Sequence, residues 1–135
     1  MTYNMIKMNL FSSIFGSNAN ESNSSEIGWV PLTTMSQIDD LMTSSHEKPA
    51  LIFKHSTGCG ISKMALKQFE RNFSLGSEIT PYFLDLLAYR SVSNAVAERF
   101  GVSHQSPQLL LIKDGKAVYN VSHGDIDAGA LKDKI

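Results

Sequence analysis

The spacing of apolar residues changes period several times between Ile27 and Ile135, and each change marks an element. Residues 27–32 (IGWVPL) read as a short strand. Pro31 suits an edge or a strand end there, because proline lacks the N–H that a central strand must donate. Met35, Ile38, Leu41 and Met42 then recur at helical spacing behind Thr33 or Thr34 as N-cap, and Pro49 closes that region. Residues 50–53 form a short apolar run, the pattern of a buried strand. After them Ile61, Met64, Ala65, Leu66, Phe69 and Phe73 mark the inner face of a second helix. Residues 79–87 read as another strand. Ser91 or Ser93 opens a helix that turns Val92, Ala95, Val96 and Phe100 inward and stops at Gly101. Residues 108–112 are a strand, Asp114-Gly115 is a two-residue hairpin signal, and residues 117–121 return antiparallel. Beyond Gly124, the positions of Ile126, Ala130, Leu131 and Ile135 predict a last short helix. The order βαβαβαββα predicts an α/β fold with a central mixed sheet, parallel crossovers and one terminal hairpin.

The start of the chain is different. In residues 8–15 (MNLFSSIF), Met8, Leu10, Phe11, Ile14 and Phe15 fall near helical spacing, which suits a short apolar arm or a frayed terminus. Residues 17–26 (SNANESNSSE) hold little that could pack and read as a flexible linker. The expected division is therefore residues 1–26 as arm and linker and residues 27–135 as one domain, since 135 residues supply one sizeable core rather than two. A net charge of −1 gives no electrostatic footprint for nucleic acid or an anionic membrane. No stretch approaches the roughly 18 apolar residues of a membrane span, and the start lacks the apolar run and cleavage site of a signal peptide. Cytoplasm is the expected compartment.

The composition includes a single cysteine, Cys59, so an internal disulfide is excluded and a reducing compartment fits. Cys59 stands in FKHSTGCGIS, where a buried strand ends and a helix begins. Free N–H groups and the helix dipole stabilise an anion at such a place, and the thiolate is the form that attacks a disulfide. Gly58 and Gly60 leave the backbone bare on either side, so a substrate chain can come close. Ser62 lies one helical turn on. A dithiol oxidoreductase would carry its resolving cysteine there, whereas a serine hydroxyl can donate to the thiolate but cannot form a disulfide. Lys54 precedes the motif, and two roles are open to it: positive potential beside the thiolate, or an exposed strand end. His55 and Cys59 are too few ligands for a zinc site, so no metal is expected. Ser56 and Thr57 suit turn and capping positions. Asp85 ends a strand, near the site or capping a turn. His104, Gln105 and His123 read as ordinary surface or groove residues.

AERFGVSHQSPQLLLIKDGKAVYNVSHG resembles the second half of a thioredoxin: an aromatic-Gly-Val segment, a proline, an apolar strand, a Lys-Asp-Gly turn, another strand and a glycine. Together with FKHSTGCGIS and FLDLLAYRSVSNAVAERFGVSHQSPQLLLIKDG, it makes residues 28–125 similar to the YtxJ-type monothiol bacilliredoxins. That family carries a Thr-Cys-Pro-Ile-Ser type motif where this chain has Gly58-Cys59-Gly60-Ile61-Ser62. The resemblance implies a thioredoxin-like fold and a cis Ser106–Pro107 bond facing Cys59. Ser106 would then offer its backbone to an extended substrate, much as an added strand does. It also implies removal of a low-molecular-weight thiol, bacillithiol, from S-thiolated client proteins, with that thiol as co-substrate and no bound cofactor. The buried acidic residue that thioredoxins place on the strand before the cysteine is replaced here by Phe53. Two other readings stay open on the residues alone. Cys-Gly-Ile-Ser is similar to the Cys-Gly-Phe-Ser motif of monothiol glutaredoxins, which hold an iron–sulfur cluster between protomers. A redox-inert adaptor would use the groove near Pro107 only to bind peptide.

Overall fold

The structure is a computed structural model and describes residues 27–135. The arm and linker expected at residues 1–26 lie outside the described residues. The elements are β1 (Val30–Pro31), α1 (Met35–Ser44), β2 (Ala50–His55), α2 (Gly60–Asn72), β3 (Thr80–Asp85), α3 (Arg90–Phe100), β4 (Gln108–Lys113) and β5 (Lys116–Ser122). They form one five-stranded sheet in the order β1-β3-β2-β4-β5. β3 runs parallel to both β1 and β2, β4 is antiparallel to β2, and β5 is antiparallel to β4. Pro31 sits on the edge strand, where its missing N–H leaves no central ladder bond unmade. Asp114 and Gly115 both take positive φ, 54° and 77°, as the tight turn between β4 and β5 requires.

The sheet is buried on both faces. Ile38 and Leu41 of α1 and Val92 and Val96 of α3 pack on one face against Ala50, Ile52, Leu84, Leu110 and Ile112. On the other face, Phe69 of α2 meets Leu51, Phe53, Leu109 and Leu111, joined by Ala128 and Leu131. Thr34 caps α1 with a reciprocal box: its hydroxyl accepts the Gln37 N–H, while the Gln37 side chain accepts the Thr34 N–H.

Several expectations need correction. Met35, Ile61 and Met64, expected inward, are exposed by 50%, 65% and 72%. All three lie in or next to the first turn of their helix, and in α2 the inward place there is taken by Ser62. The strand expected over residues 79–87 is shorter, because the Asp85 carboxylate accepts the Leu87 and Ala88 N–H groups and turns the chain. The third helix starts at Arg90 without a serine cap, and Ser93 is buried inside it. The expected last helix is two 3-10 turns, His123–Asp125 and Ala128–Asp133; Asp127 accepts the Gly129 N–H, and only Ala128 and Leu131 are buried.

Candidate active site

β2 and β3 end side by side, and antiparallel β4 begins at that same edge, so three loops converge there. The Ala50–His55 strand is buried along its whole length, with Ile52 and Lys54 facing α1 and α3, and Phe53 and His55 facing α2. Beneath this end Phe53, Phe69 and Phe83 surround Trp29, with ring centroids 5.7–6.0 Å from the indole, a rigid apolar floor.

From β2 the chain turns tightly, the Cys59 N–H donating to the Ser56 carbonyl at 3.1 Å. Cys59 is the N-cap of α2, with extended backbone, and the Lys63 N–H donates to its carbonyl as the first bond of the helix. Cys59 is partly exposed and its side chain makes no capping hydrogen bond, so it leaves uncapped the first-turn N–H groups of α2, the kind of groups that stabilise an anion at a helix start. A Cβ at Gly58 or Gly60 would meet no atom within 4 Å, and neither residue has a positive φ. The fold therefore does not demand glycine at either place, and both flanks of Cys59 are open.

Ser62 is fully buried, and its hydroxyl has partners other than the thiol. It accepts the Ser56 N–H at 3.1 Å and lies 2.8 Å from Nδ1 of His55. The hydroxyl bridges the Ser56 N–H and the His55 ring. The hydrogen bond expected from Ser62 to Cys59 is thus replaced by one inside the protein: Ser62 fastens both ends of the Cys59 turn to β2. Burial keeps His55 neutral by pushing its pKa down and Lys63 acts in the same sense, while Asp85 and a hydrogen bond to the Ser62 backbone act against them.

Ser106–Pro107 is cis, and Pro107 leads directly into β4, whose Gln108 pairs with Lys54 of β2. Ladder register thus brings Pro107 and Ser106 to the edge that carries the Cys59 turn. Two residues missed in the sequence hold this loop. Gln108 is buried; its amide donates to the Ser103 carbonyl at 3.0 Å and its oxygen accepts the Gln105 N–H at 3.4 Å. Its polar side chain at the head of an apolar strand was the available signal. His104 is the second, and it meets Lys54. That lysine is neither strand-end surface nor, by any contact, a partner of the thiol. It is fully buried, its ammonium 3.3 Å from Nδ1 of His104 and 3.4 Å from the Ser93 carbonyl, and burial lowers its pKa to about 8. Asp85 caps its turn, and no cluster of three or more metal-ligating side chains occurs among the described residues.

A mixed sheet of this order that delivers one cysteine to the start of the helix after its central strand is the frame of a thioredoxin-fold thiol–disulfide oxidoreductase. The comparisons narrow that class. The family model described as monothiol bacilliredoxin BrxC matches residues 30–131, and the chain belongs to that family. Among solved structures, the chain is similar to a protein described as an oxidoreductase with a thioredoxin fold, at 30% identity over 77% of this chain and 90% of that one, with a TM-score of 0.66. A variant of thioredoxin from Halobacterium salinarum matches at 26% identity over 78% of this chain and 86% of its own, with a TM-score of 0.57. Mitochondrial thioredoxin 3 from Saccharomyces cerevisiae shares the fold at 18% identity, covering 84% of this chain and 96% of its own with a TM-score of 0.61.

Proposed function

We propose that this protein removes a low-molecular-weight thiol, bacillithiol, from S-thiolated client proteins through Cys59 alone. The carrying observation is the N-cap position of the single, partly exposed cysteine, with a buried serine where a resolving thiol would stand. The Cys59 thiolate attacks the small-thiol sulfur of the client's mixed disulfide. A new Cys59–small thiol disulfide forms, the client disulfide breaks, and the client leaves as its thiolate. A second small thiolate then attacks the adduct, releasing the symmetrical small-thiol disulfide and returning the Cys59 thiolate, so each step exchanges one disulfide for another. The open flanks at Gly58 and Gly60 admit the client chain, and the backbone at Ser106 and Pro107 supports its extended segment. Ser62 contributes by holding the turn. The lone thiol and this chemistry suit the cytoplasm, and no helix among the described residues is long and apolar enough to cross a membrane.

The test of the co-substrate is a rate comparison on one client carrying bacillithiol, glutathione or cysteine as its mixed disulfide. The bacillithiol form should be cleared fastest by at least about tenfold, a difference of one or two good hydrogen bonds. Equal rates for all three would remove bacillithiol from this reading.

A further inference from the structure

Lys54 has the features of a residue kept for a purpose. It lies in the middle of a packed α/β layer with no exposed surface, and no carboxylate among the described residues pairs with it. A buried ammonium is costly unless its protons find acceptors. Lys54 finds two: the Ser93 carbonyl of α3 at 3.4 Å and Nδ1 of His104 at 3.3 Å. An ammonium only donates, so Nδ1 of His104 accepts and that ring carries its proton on Nε2. His104 itself is exposed and belongs to the loop of residues 102–106 that runs from α3 into Pro107. The same loop is tied at Ser103 and Gln105 by the buried Gln108 side chain. The buried core thus reaches out from beneath to grip this loop at three consecutive residues.

We propose that Lys54 is a positioning residue for the client-binding loop, and that it holds residues 102–106 in register with Cys59 by donating to a neutral His104. This rests on the de-thiolation reading given above. The charged groups facing the contact are Lys54 itself, from β2, and Arg90, from the start of α3; no acidic side chain takes part. Protonation of His104 would set a second cation 3.3 Å from the ammonium and remove the accepting lone pair, so the grip opens as the pH falls. Burial, Lys54 and Arg90 all depress the His104 pKa, which keeps the grip closed at neutral pH. Loss of the Lys54 proton at high pH does not open it, because a neutral amine still donates.

The experiment compares two rates in the same samples: client de-thiolation and alkylation of Cys59 by iodoacetamide. Alkylation follows the thiolate and needs no client loop, so the ratio of the two isolates the groove. Lys54→Met and His104→Ala should lower the ratio by about tenfold at pH 7, the effect of losing one charge-assisted hydrogen bond. His104→Asn places an amide oxygen where Nδ1 stood and cannot be protonated. It should keep the ratio within about twofold of the wild type and abolish its fall at acid pH. Wild-type ratios in Lys54→Met, or His104→Asn behaving like His104→Ala, would overturn the proposal. Amide exchange serves as a second readout that needs no turnover: Lys54→Met should speed exchange at Gln105 about tenfold, and unchanged exchange there would equally overturn it. A wild-type protein that clears no client while its Gln105 amide responds to Lys54→Met would remove the de-thiolation reading and leave the grip standing.

Discussion

At the scale of single residues, the site depends on what lies behind Cys59 as much as on the thiol. Ser62 and His55 form a buried pair that closes the Cys59 turn against β2. Ser62→Ala should cost about 1–3 kcal/mol, because it strands the Ser56 N–H and the His55 ring nitrogen, and thermal or denaturant unfolding measures that loss. Ser62→Cys tests the geometry in the opposite sense. Position 62 is the third residue of α2 and Cys59 is its N-cap, so the new thiol stands one turn from the captured adduct. It should expel the small thiol without any added thiol and leave an internal disulfide, since attack within one turn is effectively unimolecular. Reduced and oxidised forms separate by mass, and a variant that still waits for external thiol would show that residue 62 does not reach Cys59. Lys54 carries a stability signature of its own. Its folded pKa of about 8 lies below the ordinary 10.5, so between those values the unfolded chain binds a proton that the folded protein has released. Stability contributed through this group therefore rises with pH across that window, by about 3 kcal/mol in total, and is flat below it. Lys54→Met should lose that rise and be at least as stable as the wild type at pH 7, which denaturant titrations at pH 7, 8.5 and 10 will read.

At the scale of elements, most of the architecture was legible because helix and strand periods alternate cleanly. The stripe of Ile38 and Leu41, the run of residues 50–53 and the Asp114-Gly115 turn each have one reading, and each formed as expected. The misses share a physical cause. Ile61 and Met64 fit the helical stripe of α2 in sequence, but the buried residue of the first turn is Ser62, and period alone does not say which members of a stripe the sheet covers. The polar interior was hidden for a similar reason. Lys54, His55, Ser62, Ser93 and Gln108 are all buried, and they lie in segments whose apolar residues dominate the pattern. Their pairings join β2 to α2, α3 and the loop before β4, contacts that only the fold brings together. Gly60 supplies a prediction at this level. It is the first residue of α2, where the bacilliredoxin motif carries proline, and a Cβ there meets no atom within 4 Å. Proline is tolerated at that position because the N–H it lacks has no intrahelical partner. Gly60→Pro should raise stability by about 0.5–1 kcal/mol through the unfolded chain, measured as a higher midpoint of unfolding; a lower midpoint would mean that the Gly60 N–H is in use.

Taken whole, the molecule divides its labour between the two faces of one sheet. The α2 face fixes the Cys59 turn through His55 and Ser62, and the α3 face fixes the loop before Pro107 through Lys54 and His104. β2 carries both pairs as successive residues, one to each face, so a single buried strand sets the thiol and the loop in a common frame. A protein built this way needs one thiol only if the thiol it captures stays on until another arrives. Intact-mass spectrometry of a mixture with a bacillithiolated client, sampled over time without free thiol, reads this directly. The client should lose one bacillithiol for each one that appears on Cys59, and the adduct should persist until free bacillithiol is added. Clearance of the client with no adduct on Cys59, or an adduct that leaves without added thiol, would contradict a monothiol exchange.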